Sequence, residues 1–241
     1  MLKQMCVSWY LSRLSYLCIW VLYHITPQVL NEISIKFLLF TADFLSSITI
    51  SMEEKEQSLL NKPIVMVGLM GAGKTSVGRA LANRLKIPFV DSDKEIEAAA
   101  GCSVVDIFAM YGEEEFRRVE QRVTQRILNT APVCKVISTG EGAFITPAVR
   151  EMVLKQAITV WLKADLELLV KRTNSRDTRP QLLHTDSRKI LAQLIKERYD
   201  IYALADITVE THDESLRRTL NKVVDAIKTY TKQQGEQNGK K

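Results

Sequence analysis

The chain has 241 residues, 46% apolar and 25% charged, with a net charge of +5, which suits one domain with extra material or two small ones and is ordinary for a soluble globular protein. Residues 1–51 carry three basic and two acidic side chains, and residues 232–241 carry three and one. The stretch between them is therefore close to neutral, which fits an anionic small ligand and excludes the concentrated basic stripe of a nucleic-acid binder.

Residues 1–51 differ from the rest. No charged side chain occurs between positions 14 and 31, where Tyr16, Trp20 and Tyr23 lie. Length alone makes this a candidate membrane span; Pro27 and the polar Ser15, His24, Thr26 and Gln28 argue against it. A second apolar run, 37–50, is interrupted by Asp43 and is too short to span. A secretory signal fits poorly, because no small-residue cleavage site follows a compact apolar run. Met52 opens a polar segment of the kind that precedes a first strand. The preferred reading makes 1–51 an upstream extension of the reading frame, with the native start at Met52. A membrane or targeting segment is the alternative, and packing on the domain the third. Cys6, Cys18, Cys102 and Cys134 form no C-x-x-C pair, so reduced thiols in a cytoplasmic protein are expected, with no disulfide framework or zinc site.

From position 62 onward the chain alternates. Residues 63–67 are a continuous apolar run, as expected of a strand buried on both faces. A glycine-rich turn follows, then a helix over 74–85 with Val77, Ala80, Leu81 and Leu85 at helical spacing. A second strand covers 88–90 and ends at Asp91. Ser103 opens a helix, with Asp106 three residues on as a capping-box variant. Charged residues over 113–126 predict a following exposed helix. Strands are predicted at 133–137, 157–162 and 207–209, helices between them, a last helix over 214–231 and a disordered tail over 232–241. The expected fold is α/β, a five-stranded parallel sheet with helices on both faces. Ligands then bind outside the carboxyl ends of the strands.

Gly68, Gly73, Lys74 and Thr75 fit G-x-x-x-x-G-K-[ST], with a strand before and a helix after. Glycines let successive N–H groups converge on one anion, and the new helix adds its unsatisfied donors and positive dipole end. Lys74 then reaches the β- and γ-phosphates, and Thr75 offers its hydroxyl to Mg²⁺. ATP contacts are assigned to Gly71, Ala72, Gly73, Lys74, Thr75 and Ser76. At the end of the second strand, Asp91 and Asp93 can face one cleft from a turn. One suits a metal through water and the other can accept a hydroxyl proton. The plain alternative is a polar turn in which Asp93 caps the next helix.

Further motifs follow in order: Asp106, Gly112, Phe116, Arg117, Arg118 and Glu120; Thr139, Gly140, Glu141, Gly142 and Ala143; Thr178, Arg179 and Pro180; Glu197, Arg198 and Tyr202. With the phosphate loop and the two aspartates, they make residues from 62 to about 230 resemble shikimate kinase, a P-loop NTPase of the nucleoside-monophosphate-kinase type. The resemblance implies ATP-dependent phosphorylation of shikimate to shikimate 3-phosphate, a step towards chorismate and the aromatic amino acids, by a cytoplasmic monomer needing Mg²⁺. Asp91 matches the magnesium-associated aspartate. Asp93 matches the one that binds shikimate hydroxyls and takes the proton. Arg117 and Arg198 match the arginines that hold the substrate carboxylate, a role suited to a guanidinium fork. Arg172 matches the arginine lying against adenine, and Arg179 the lid arginine that approaches the transferring phosphoryl group. Arg118 and Arg122 are expected on a solvated helix face. The polar stretch over about 173–187 reads as the lid, with His184 a solvated part of it.

Two departures stand out. Where the family usually has three glycines, this chain has Gly140, Glu141 and Gly142. All three are assigned to the substrate, Glu141 through its backbone N–H, with its side chain expected to face solvent. Arg179 and Pro180 are followed by Gln181 where an apolar residue is usual. The competing functions are another P-loop small-molecule kinase, for gluconate or a nucleotide, and a catalytically impaired nucleotide-binding regulator. No nucleic-acid or membrane partner is expected.

Overall fold

In a computed structural model of the chain, residues 62–174 and 187–238 are described. Residues 1–51, Arg179, His184 and nearly all of the expected lid lie outside them. Five parallel strands form one sheet: β1 (Ile64–Val67), β2 (Phe89–Asp91), β3 (Val136–Ser138), β4 (Ile158–Ala164) and β5 (Ile207–Thr211). Their order is β2-β3-β1-β4-β5. All four residues of the central β1 are fully buried, which is why the sequence there is an unbroken apolar run.

Strand boundaries depart from the apolar runs for local reasons. Val133 is 56% exposed, so its apolar character belongs to a loop, and β3 starts at Val136. Both β4 and β5 run two residues beyond the expected ends. There Lys163 pairs in register with Glu210 and Ala164 with Thr211, and Lys163 Nζ lies 3.0 Å from Glu210 Oε1. Polar cross-strand partners extend the ladder where hydrophobicity has already stopped.

Seven helices are present among the described residues: α1 (Lys74–Leu85), α2 (Ser92–Ala100), α3 (Val104–Asn129), α4 (Pro147–Gln156), α5 (Leu166–Asn174), α6 (Ser187–Tyr202) and α7 (Leu216–Asn238). The start of α3 is a capping box: Ser103 Oγ accepts from the Asp106 N–H at 3.1 Å, and the Asp106 carboxylate accepts from the Ser103 N–H. As expected, 103–126 holds two helices within α3, joined by a kink at Gly112, whose φ of 75° and ψ of 177° lie outside the helical region. Past the kink, Phe116, Glu120, Val123 and Ile127 face inward. Arg118 and Arg122 are exposed and pair with Glu114 and Glu115, the solvated face expected of them. The tail expected to be disordered from residue 232 is instead helical to Asn238. Lack of apolar residues removes packing but not helicity, since Lys, Gln and Glu are good helix formers continuing an established helix. No described helix is long and apolar enough to cross a membrane.

Candidate active site

The carboxyl ends of β1, β2 and β3 lie side by side, and three motifs emerge there. β1 leads into the phosphate loop, β2 ends on Asp91, and β3 ends on Ser138 just before Thr139. The register pairs Ser138 with Met66 on one side and Asp91 on the other. Thr139 ties its turn to β1 by donating its hydroxyl to the Met66 carbonyl at 2.9 Å.

At the loop, Gly73 holds φ 100° as the N-cap of α1, a left-handed conformation that side-chain-bearing residues avoid. No side chain caps α1 and no acid sits in its first turn. Its leading N–H groups and dipole are thus left to an anion. Lys74 folds back over the loop, donating from Nζ to the carbonyls of Gly68 at 2.8 Å and Leu69 at 3.0 Å.

Thr75 Oγ1 lies 3.3 Å from Asp91 Oδ2 and 3.2 Å from Ser138 Oγ. This is an oxygen-only donor set, suited to a hard divalent cation that keeps most of its ligands as water and phosphate. Ser138 was not picked out from sequence; a serine ending a buried strand has no periodicity to mark it.

Asp93 lies in the first turn of α2, not on a free turn as one reading expected. Its side chain nevertheless reaches the turn that follows β3. A Cβ placed on Gly140 would sit 2.5 Å from Asp93 Oδ1, so the carboxylate lies directly on the Gly140 backbone. Buried Ser92 fixes that approach by accepting from the Gly140 N–H at 3.1 Å.

Arg117 lies against the other end of the same turn. A Cβ on Gly142 would meet its two terminal nitrogens at 2.5 and 2.6 Å. The guanidinium is held by Glu120 at 2.8 Å and Glu113 at 3.1 Å. Glu120 is 1% exposed; its place in the sequence motif carries no mark of this role. Burial pushes the Glu120 carboxyl above its usual range, Arg117 pulls it back, and the charges of Asp93 and Glu113 add to the rise. Burial works against the Arg117 charge, but the two glutamates outweigh it and raise its pKa. Both values rise, which disfavours the charged form of Glu120 and favours that of Arg117, because Glu120 is the more deeply buried partner.

Arg198, on α6, lies 3.6 Å from Glu141 Oε1 through its NH1. The expectation that Glu141 turns to solvent is therefore wrong: its side chain is only 26% exposed and faces an arginine. The guanidinium attracts it inward, and Tyr202 anchors its backbone by donating its hydroxyl to the Glu141 carbonyl at 2.5 Å. Tyr202 is fully buried, and burial pushes its phenol far above its ordinary range.

On the far side of the loop lies a cavity of about 280 Å³, lined by Ala72, Gly73, Ser76, Arg172, Glu214 and Leu216 among others. Arg172 donates to the Ala72 carbonyl at 3.3 Å and the His212 carbonyl at 3.2 Å, which lays it along one wall. Glu214 and Leu216 come from the segment after β5 and were missed, since nothing in their local sequence marks a ligand.

The shikimate kinase family model matches residues 70–228, more than half of the chain. The chain is 51% identical over 171 residues to a shikimate kinase of Paramagnetospirillum magneticum, a match spanning 71% of this chain and 87% of that protein. It is 43% identical over 180 residues to a shikimate kinase of Rhizobium meliloti, spanning 75% and 93%. Among solved structures it resembles shikimate kinase from Acinetobacter baumannii in complex with shikimate, at 34% identity and a TM-score of 0.66, covering 72% of this chain and 97% of that one.

Proposed function

The chain belongs to the shikimate kinase family and transfers a phosphoryl group from ATP to shikimate, and on that premise we propose how its residues divide the work. ATP lies with its base in the cavity beside Arg172 and its phosphates over the loop. Lys74 leaves the carbonyls of Gly68 and Leu69 for the β- and γ-phosphates, joined by the N–H groups that open α1. Thr75 and Asp91 would hold Mg²⁺, which would supply positive charge against the phosphates of ATP.

Arg117 and Arg198 grip the shikimate carboxylate. Asp93 orients the attacking 3-hydroxyl and accepts its proton as the oxygen bonds to the γ-phosphorus. The bond from that phosphorus to the bridging oxygen breaks, and ADP leaves. Arg179, which lies outside the described residues, is assigned to meet the charge on the transferring group.

The observation carrying this reading is the turn 140–142, which has Asp93 against one end and Arg117 against the other. A base for a hydroxyl and a cation for a carboxylate are thereby held on one short span, which selects an acid that is also an alcohol. The cytoplasm suits both the ATP requirement and the free thiols of Cys102 and Cys134.

ADP release measured over a panel of shikimate, gluconate and nucleoside monophosphates tests the assignment. The expected result is turnover with shikimate far above the others. Faster turnover with gluconate or a monophosphate would overturn the acceptor. ATP binding with no acceptor-dependent ADP release would favour a regulator.

A further inference from the structure

The substrate turn carries a carboxylate of its own, Glu141. Its Oε1 lies 3.6 Å from Arg198 NH1, and both side chains are largely buried, 26% and 21% exposed. The contact is built in from two directions. Tyr202, one turn beyond Arg198 on α6, binds the Glu141 carbonyl and so fixes the base of the glutamate beside the helix that carries its partner. On the other side, Gly142 is pressed against Arg117. The residue thus sits between the two guanidinium groups assigned to the acceptor carboxylate. Its backbone is unstrained: among described residues, Lys86 is the only non-glycine with positive φ.

A guanidinium that already faces a carboxylate must either share its charge with an incoming anion or release the first one. Sharing would bring two carboxylates together in a part-buried place, where like charges repel strongly. We propose that Glu141 is a built-in competitor for the acceptor carboxylate: it occupies Arg198 in the resting enzyme and must swing off before shikimate is gripped. This rests on the assignment of Arg198 to the acceptor carboxylate. Glu141 therefore raises the KM for shikimate and blunts the preference for a charged acceptor over an uncharged one. It leaves the nucleotide side untouched, because the phosphate loop and the Arg172 cavity lie on other elements.

Steady-state kinetics of the full chain test this, comparing wild type, Glu141→Gln, Glu141→Gly and Arg198→Ala, with shikimate and its methyl ester as acceptors. Both Glu141 variants are expected to lower the KM for shikimate about tenfold, with kcat changed by less than about twofold. KM values for the ester and for ATP stay as in wild type, so the acid-over-ester preference grows by the same factor. Adding Glu141→Gln to Arg198→Ala should bring a smaller gain than in the wild-type background, because the contested group is gone. An unchanged or raised KM for shikimate in both single variants, with kcat retained, would overturn the proposal. Arg198→Ala separates its premise: an unaltered KM for shikimate in that variant would show that Arg198 does not hold the acceptor, and the proposal would fall with it.

Discussion

Replacing Gly142 with alanine is expected to damage acceptor binding while sparing the fold. Gly142 has no positive φ, so alanine meets no backbone penalty. Its Cβ would, however, lie 2.5 Å from one terminal nitrogen of Arg117 and 2.6 Å from the other. Ordinary carbon–nitrogen contacts need roughly 1 Å more, in line with the 3.5–4.0 Å optimum for non-bonded atoms. The guanidinium is the far end of a flexible side chain, so it moves and the backbone does not. It cannot move freely, because Glu120 holds it from a buried position at 2.8 Å and Glu113 from the surface at 3.1 Å. Displacement therefore spoils its fork for the acceptor carboxylate. Hydrogen bonds to charged groups contribute about 1.5–3 kcal/mol, which corresponds to a rise in the KM for shikimate of roughly 10- to 100-fold. Initial rates at varied shikimate and fixed saturating ATP give the value, and thermal unfolding checks the fold. An unchanged KM with native stability would refute the placement of Arg117 at the acceptor. A collapse of stability would refute the claim that the side chain yields.

Gly68→Ala should do the reverse. Its Cβ would meet the Leu162 backbone carbonyl at 2.9 Å, and φ is +135°, so neither neighbour nor backbone can give way cheaply. A stability loss of about 1–3 kcal/mol in denaturant unfolding is expected, and loss below the lower figure would contradict it. Asp93→Asn should lower kcat by roughly 10²- to 10⁴-fold, the usual range for a general base, with the KM for ATP nearly unchanged; equal loss of ATP binding would assign Asp93 to the metal instead. Glu120→Gln should raise the KM for shikimate by loosening Arg117, and it should also alter the pH dependence of folding. Burial raises the folded-state pKa of Glu120, so its protonated form favours the native state. That contribution is complete below the unfolded value of about 4.3 and is lost as pH rises through the higher folded value. The variant should lack this decline, which parallel unfolding titrations from pH 4 upward would reveal; identical slopes would contradict it.

The parts of the fold written in hydrophobic pattern were legible: the buried run of β1, the amphipathic face of α1 and the capping box at Ser103. What escaped was set by partners distant in sequence. β4 and β5 run on because Lys163 and Glu210 meet across the ladder. The last helix continues past residue 232 because an established helix needs little packing to extend. At the site, the glycine-lysine-threonine loop declares itself through spacing. Ser138 and Glu214 do not, because each gains its role only when the sheet brings it beside Thr75 or the loop. Glu141 is the instructive case. Its departure from the family's glycine could be read, but its direction could not, since that is decided by Arg198 more than fifty residues away on α6.

The central claim is that an acid pinned by Arg117 and Arg198 presents its alcohol to Asp93, in line with a triphosphate held at Lys74. A crystal structure of the full chain with shikimate, ADP and Mg²⁺ measures this directly. The account predicts the carboxylate between the two guanidinium groups and one ring hydroxyl within hydrogen-bond reach of Asp93, on the side of the terminal phosphate. Shikimate bound away from either arginine, or with no hydroxyl near Asp93, would contradict it.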